Sequence, residues 1–158
     1  MSEPEARTFW RISNHSDLTG RGGLRSPGRW HPAGSRIVYM ADSPASAILE
    51  TLVHMELDET TFPERYKLLK VAVPADCGLI QIDVPEGNDW KSDFGLTRRL
   101  GSEWLSSLGS ALASVPSALA PDTRNLLLNP VHPDAPRVVI VSERWERFDP
   151  RLFRVGGR

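Results

Sequence analysis

Thirteen prolines and twelve glycines are scattered through 158 residues without clustering into a linker. Proline fixes φ and removes an N–H, and glycine loosens the backbone, so this chain must build many short elements joined by turns. The length fits one domain around a single core. Residues 1–6 read as a loose tail, and the domain is expected to run from 7 to 158.

The short elements follow in order. Thr8 to Ile12 alternates as a strand, with Phe9 and Arg11 on one side and Trp10 on the other. Residues 13–35 are rich in Gly, Ser, Pro, Asn and Asp, a long irregular segment of the kind that is functional or disordered. Arg36 to Ala41 reads as a strand, with Tyr39 sharing a face with Ile37 and Ala41. Ser43-Pro44 is a helix start, with Ser as N-cap and Pro at the first helical position. The helix runs to about Glu56, with Ala45, Ile48, Leu49, Leu52 and Val53 as its apolar arc.

Tyr66 to Val73 and Leu79 to Val84 read as strands, and Pro85 to Phe94 as a loop. Leu96 to Leu108 is a helix with Leu100, Trp104 and Leu108 on one face. Ala111 to Val115 reads as a short strand, and Arg124 to Leu128 lead into the loop signal Asn129-Pro130. Arg137 to Ser142, R-V-V-I-V-S, has the pattern of a buried strand, and F-D-P-R-L-F near the end that of an edge strand. Strands and helices mix without regular βαβ alternation, which argues for an α+β fold.

Composition excludes several function classes. The formal net charge is −1 and the pI about 6.4, so phosphate recognition must rest on a few placed arginines, and a nucleic-acid binder or ribonuclease is disfavoured. The lone Cys77 cannot form an intrachain disulfide. No apolar run reaches membrane-span length, and the acidic N-terminus is not a signal peptide, so the expected location is the cytoplasm. His15, His31, His54 and His132 lack metal-ligand spacing, and no metal site is expected. There is no G-x-S-x-G elbow, Walker A loop or dinucleotide fingerprint.

The chemistry concentrates between Gly28 and Glu50. This stretch sets Arg29 on a loop, Tyr39 on a strand and Glu50 on a helix. Each has an ordinary reading: a solvated loop arginine, a sheet aromatic, an exposed helix glutamate. Together they suit an anionic substrate with an aromatic part. A second segment, Val115 to Pro133, offers Ser117 and Asn125, whose ordinary role is to satisfy loop backbone groups.

The run G-R-W-H-P-A-G-S-R-I-V-Y-M-A-D-S-P-A-S-A-I-L-E-T-L-V-H, with V-P-S-A-L and R-N-L-L-L-N-P-V-H-P, resembles the RES-domain proteins, toxins of bacterial type II toxin–antitoxin pairs. The resemblance extends from Phe9-Trp10-Arg11 to about Phe153. It implies a fold like the ADP-ribosyltransferases, with twisted, mostly antiparallel sheets and flanking helices. It implies NAD+ as substrate, with no separate cofactor, and cleavage of the nicotinamide–ribose bond by hydrolysis or phosphorolysis, or transfer of ADP-ribose to a protein. The implied partner is an Xre-like helix-turn-helix antitoxin that covers the active site, with DNA met only through it. A homodimer is left open.

Carried onto this chain, Arg29, Tyr39 and Glu50 match the family's catalytic set. Arg11, Ser117 and Asn125 match its substrate-binding positions, with Arg11 and Ser117 expected at the phosphates. Two departures from the family pattern are Ser26-Pro27, where glycine is common, and His31, where asparagine is common. A catalytically inert binding module is the competing class.

Overall fold

The computed structural model describes residues 5–54 and 63–153. Residues 1–4 of the expected tail, the expected helix end at Glu56 and the stretch 154–158 lie outside them. In chain order the elements are β1 (Arg7–Ile12), α1 (Gly22–Arg25), β2 (Val38–Ala41), α2 (Pro44–His54), β3 (Arg65–Val73) and β4 (Leu79–Gln81). They are followed by α3 (Phe94–Ser107), β5 (Leu112–Pro116), β6 (Arg124–Leu128) and β7 (Val139–Arg147). Short 3-10 turns occupy Asp89–Ser92, Ala135–Arg137 and Pro150–Phe153. This is the α+β architecture expected.

The strands form one seven-stranded sheet in the order β4-β5-β6-β2-β1-β3-β7. All neighbours are antiparallel except β4 and β5, which run parallel. Alternation along each strand divides the core between the two faces. Val38, Met40, Leu126, Leu128, Val71 and Val73 pack on one side. Ile37, Leu127, Ala113 and Val115 pack on the other, beneath Trp104 and Leu105 of α3. The face-sharing of Tyr39 with Ile37, expected from the sequence, holds in this second cluster.

β1 and β2 are neighbours by a narrow margin. β1 pairs with β3 at six consecutive positions, Arg7 to Ile12, but meets β2 only at Trp10 opposite Ala41. Past that point the Arg11 guanidinium, not the backbone, spans the gap, donating to the Tyr39 carbonyl at 3.0 Å.

α3 starts at Asp93, whose carboxylate accepts the Leu96 N–H at 3.0 Å. It ends at Leu108, in the left-handed region at φ 53°. Leu108 therefore leaves the face it was expected to share with Trp104 and is 47% exposed. Gly101, in mid-helix, is a close-approach glycine: a Cβ there would overlap the Trp30 carbonyl.

Three further expectations are corrected. On α2 the buried residue is Ala47, while Leu49 and Val53 are exposed. The helix turns its Ala47–Thr51 side toward the sheet because that side closes a cleft. R-V-V-I-V-S is not a buried strand: Val138, just before β7, is buried, but Val139 to Ser142 belong to β7 at the sheet edge, with Val141 53% exposed, since apolar residues in a row suit an edge as well as a core. F-D-P-R-L-F forms no strand. Asp149 accepts the Arg151 N–H at 2.9 Å and turns the chain into a 3-10 segment at Pro150.

Gly101→Ala is expected to lower stability by about 2 kcal/mol, although Ala is the better helix former by about 1 kcal/mol, because the added methyl must displace Trp30. Urea unfolding measures it.

Candidate active site

The cleft opens where β1 and β2 part. It has a volume of about 440 Å³ and is lined by Arg11, Tyr39, Glu50 and Asn125, with Gly28 to Arg29 and His31 at one wall. Of the six residues singled out in the sequence, five line it: Arg11, Arg29, Tyr39, Glu50 and Asn125. Ser117 stands behind them.

Glu50 projects from α2 and is fixed through one oxygen. Its Oε1 accepts from Asn125 Nδ2 at 2.8 Å and from Ser117 Oγ at 3.0 Å. Ser117, 7% exposed, in turn accepts the N–H groups of Leu119 and Ala120 at 3.1 and 3.3 Å. Those two backbone donors orient the hydroxyl so that its proton points to the carboxylate. In this arrangement Ser117 positions Glu50, where the sequence suggested a phosphate contact. Among the described residues no donor meets Oε2, which leaves one carboxylate oxygen for a ligand. Asn125 Oδ1 is also buried without a partner among the described residues, an acceptor that a bound molecule would satisfy.

Tyr39 is held by its hydroxyl. Oη accepts the Trp30 N–H at 3.1 Å and lies 2.7 Å from His31 Nδ1. His31 Nε2 faces the Ser26 carbonyl at 3.0 Å, which can only accept. Nε2 therefore carries the proton, Nδ1 is the acceptor, and Tyr39 donates to it. Burial lowers the His31 pKa below its ordinary 6.5, partly offset by the Ser26 and Gly23 carbonyls. Burial also raises the Tyr39 pKa well above the usual phenol range, opposed by Arg98 and Arg29. Both groups are neutral at pH 7. Gly28 is required here, since a Cβ would come within 2.5 Å of Tyr39 Oη. Thus the departure at His31 supplies the partner for the Tyr39 phenol.

Arg29 is aimed from behind by α3. Thr97, fully buried, donates to the Arg29 carbonyl at 2.6 Å, and Arg98 Nε donates to the Gly28 carbonyl at 2.9 Å. The Arg29 side chain donates to the Lys91 carbonyl at 2.8 Å and lies 4.8 Å from the Phe94 ring centre. Among the described residues it has no ion-pair partner. Its pKa is lowered, first by burial and further by Arg98, while Glu50 and Tyr39 oppose the shift. Arg11 is likewise lowered by burial, with Asp17 opposing, and its Nε is buried without a partner among the described residues. The cleft thus presents two guanidiniums, a phenol ring and a half-engaged carboxylate.

Thr97 and Arg98 carry no sequence signal for this site, because they reach it only when α3 packs across the loop. His31 was visible only as a departure from the family pattern. Among the described residues, no group of three or more His, Cys, Asp or Glu is placed to hold a metal ion. No helix among them is long and apolar enough to cross a membrane.

A mostly antiparallel sheet opened between two central strands, with Arg, Tyr and Glu converging on the opening, defines the class. The chain belongs to the RES-domain family, whose model matches residues 8–149. It is 44% identical to "Toxin Res" of Pseudomonas putida over 92% of this chain and 99% of that protein. It is 36% identical to "Prs ADP-ribosylating toxin" of Sphingobium sp. over 93% of this chain and 97% of the relative. The fold is similar to that in the crystal structure of the M. tuberculosis MbcT-MbcA toxin–antitoxin complex. There the TM-score is 0.72 at 19% identity, covering 96% of this chain and 88% of that one.

Tyr39→Phe leaves the Trp30 N–H and His31 Nδ1 without their shared partner and is expected to cost about 1–3 kcal/mol in urea unfolding. Because His31 has a depressed pKa in the fold, the stability it contributes is present above pH 6.5 and is lost as pH falls below that value. A urea series from pH 7.5 down to 5 (roughly the range in which histidine titrates) measures that slope.

Proposed function

We propose that this chain is the toxin of a toxin–antitoxin pair and that its cleft binds NAD+ and breaks the nicotinamide–ribose bond. The observation that carries the reading is Glu50, held through Oε1 by Ser117 and Asn125 and lining a cleft that is also lined by Arg29, Arg11 and Tyr39. The relatives named as toxins, and the one named as ADP-ribosylating, support it.

NAD+ offers a pyrophosphate, a ribose and a cationic aromatic leaving group. Arg29, without an ion-pair partner among the described residues, suits the pyrophosphate, with Arg11 as a second cation. The Tyr39 ring suits the planar nicotinamide, since its hydroxyl is occupied below. When the C–N bond breaks, its electron pair moves to the nicotinamide nitrogen and neutralises that ring. The ribose gains oxocarbenium character, which the Glu50 carboxylate stabilises while accepting from a ribose hydroxyl. An oxygen nucleophile then closes on the ribose carbon and gives up its proton. Water yields ADP-ribose and phosphate yields its 1-phosphate. A side chain on a cellular protein would yield an ADP-ribosylated product, the second reading, favoured by the Sphingobium relative's name.

The partner proposed is an antitoxin with an Xre-like helix-turn-helix domain, covering the cleft mouth. Arg29, at the cleft wall, and Arg98 flank the exposed Phe94, with their guanidinium carbons 4.8 and 5.1 Å from its ring centre. An inert binding module would have no need of a carboxylate fixed in this way.

Glu50→Gln keeps the size of the side chain and removes its charge. Nicotinamide release from NAD+ is expected to fall by about 100-fold or more, with little change in thermal stability. A fully active variant would sink the proposal. Mass analysis of wild-type products with and without phosphate, and with tagged NAD+ in lysate, separates the three acceptors.

A further inference from the structure

β7 has β3 on one side and, among the described residues, no strand on the other. Nine residues long, it is an extended row of free backbone donors and acceptors. Val139, Val141 and Trp145 along it are 46%, 53% and 50% exposed. The Trp145 ring is held in place by β3, with Arg65 Cζ 5.2 Å and Lys67 Nζ 5.7 Å from its centre. One pairing within the sheet is unfavourable: Arg147 sits directly opposite Arg65, like charge against like. Among the described residues neither Arg147 nor Glu143 has an ion-pair partner.

We propose that β7 pairs antiparallel with β7 of a second copy, about a two-fold axis through Trp145, joining two sheets into one. This goes beyond the proposed reaction and does not rest on it. Symmetry narrows the choice of register. Two identical edges pair antiparallel only about an axis perpendicular to the sheet, and opposed residues must share a face. The axis must therefore pass through one residue position. Within Glu143 to Arg147, an axis on Glu143 or Glu146 opposes two carboxylates, and one on Arg144 or Arg147 opposes two guanidiniums. Only an axis on Trp145 avoids both.

In that register Glu143 faces the second copy's Arg147, Arg144 faces its Glu146, and the two Trp145 rings meet as a cross-strand aromatic pair. The second copy's Glu143 also supplies a carboxylate to the opposed Arg147 and Arg65, neither of which has one among the described residues. Arg144 and Glu146 already lie 3.2 Å apart along one strand, so pairing turns that bridge into a four-charge array. A row of one sign would guard this edge by repulsion. The alternating row here specifies one partner and one register.

Sedimentation velocity over a concentration series tests the proposal. The wild type is expected to show a concentration-dependent dimer. Glu143→Arg or Arg147→Glu alone is expected to weaken it roughly tenfold or more, since the axis repeats each broken pair. The double variant E143R/R147E restores the opposite pairing and is expected to return the dissociation constant to within about threefold of wild type. Circular dichroism and urea unfolding confirm that the variants fold. A wild type that stays monomeric at the highest concentration reached, or a dimer indifferent to the charge swaps, would overturn the proposal.

Discussion

The parting of β1 from β2 is the constraint on which the rest of this molecule depends. Two antiparallel neighbours would ordinarily continue their ladder, yet here it stops after Trp10 and Ala41. The Arg11 guanidinium takes over, bonding the Tyr39 carbonyl across the gap. A charged side chain half-buried in mid-sheet carries a desolvation cost, visible in its lowered pKa. That cost is sustained because the opening is the cleft. With the strands zipped together there would be no floor for a ligand.

Each wall of the opening is then fixed by a different distant segment. Glu50 is held by Ser117 and Asn125, 67 and 75 residues further along the chain. The Arg29 loop is held by Thr97 and Arg98 of α3, 68 and 70 residues away from the carbonyls they bond. Gly101 lets the same helix lie against Trp30. The functional side chains come from a short stretch, but their rigidity is borrowed from the far half of the chain. Such second-layer support is what holds a carboxylate in one orientation instead of leaving it solvated on a helix.

How much of this could be read from residues alone varies with the element. Ser43-Pro44 marked the start of α2 because capping chemistry is local. The strand character of Val38–Ala41, within the expected 36–41, and the side taken by Tyr39 followed from alternation. β7 was recognised as a strand but misjudged as buried, because an apolar run does not state how many neighbours it has. The α2 arc was misjudged too. Its sequence has several apolar stripes, and the helix buries the one that lets Glu50 enter the cleft. Leu108 fell out of register because a left-handed cap ends the helical period one residue early.

The sequence by itself determined the α+β class and the type of most elements, and it set Arg11, Arg29, Tyr39, Glu50, Ser117 and Asn125 in positions that resemble a family pattern. These depend on local propensity, spacing and motif order, all written along the chain. Only the tertiary structure decided what each group does. It turned Ser117 from a ligand contact into the support of Glu50. It made His31 the neutral acceptor for Tyr39 and placed Thr97 and Arg98 behind Arg29. Those roles arise from hydrogen bonds between segments far apart in sequence, and directional bonds of that kind exist only once the sheet has brought both ends within about 3 Å.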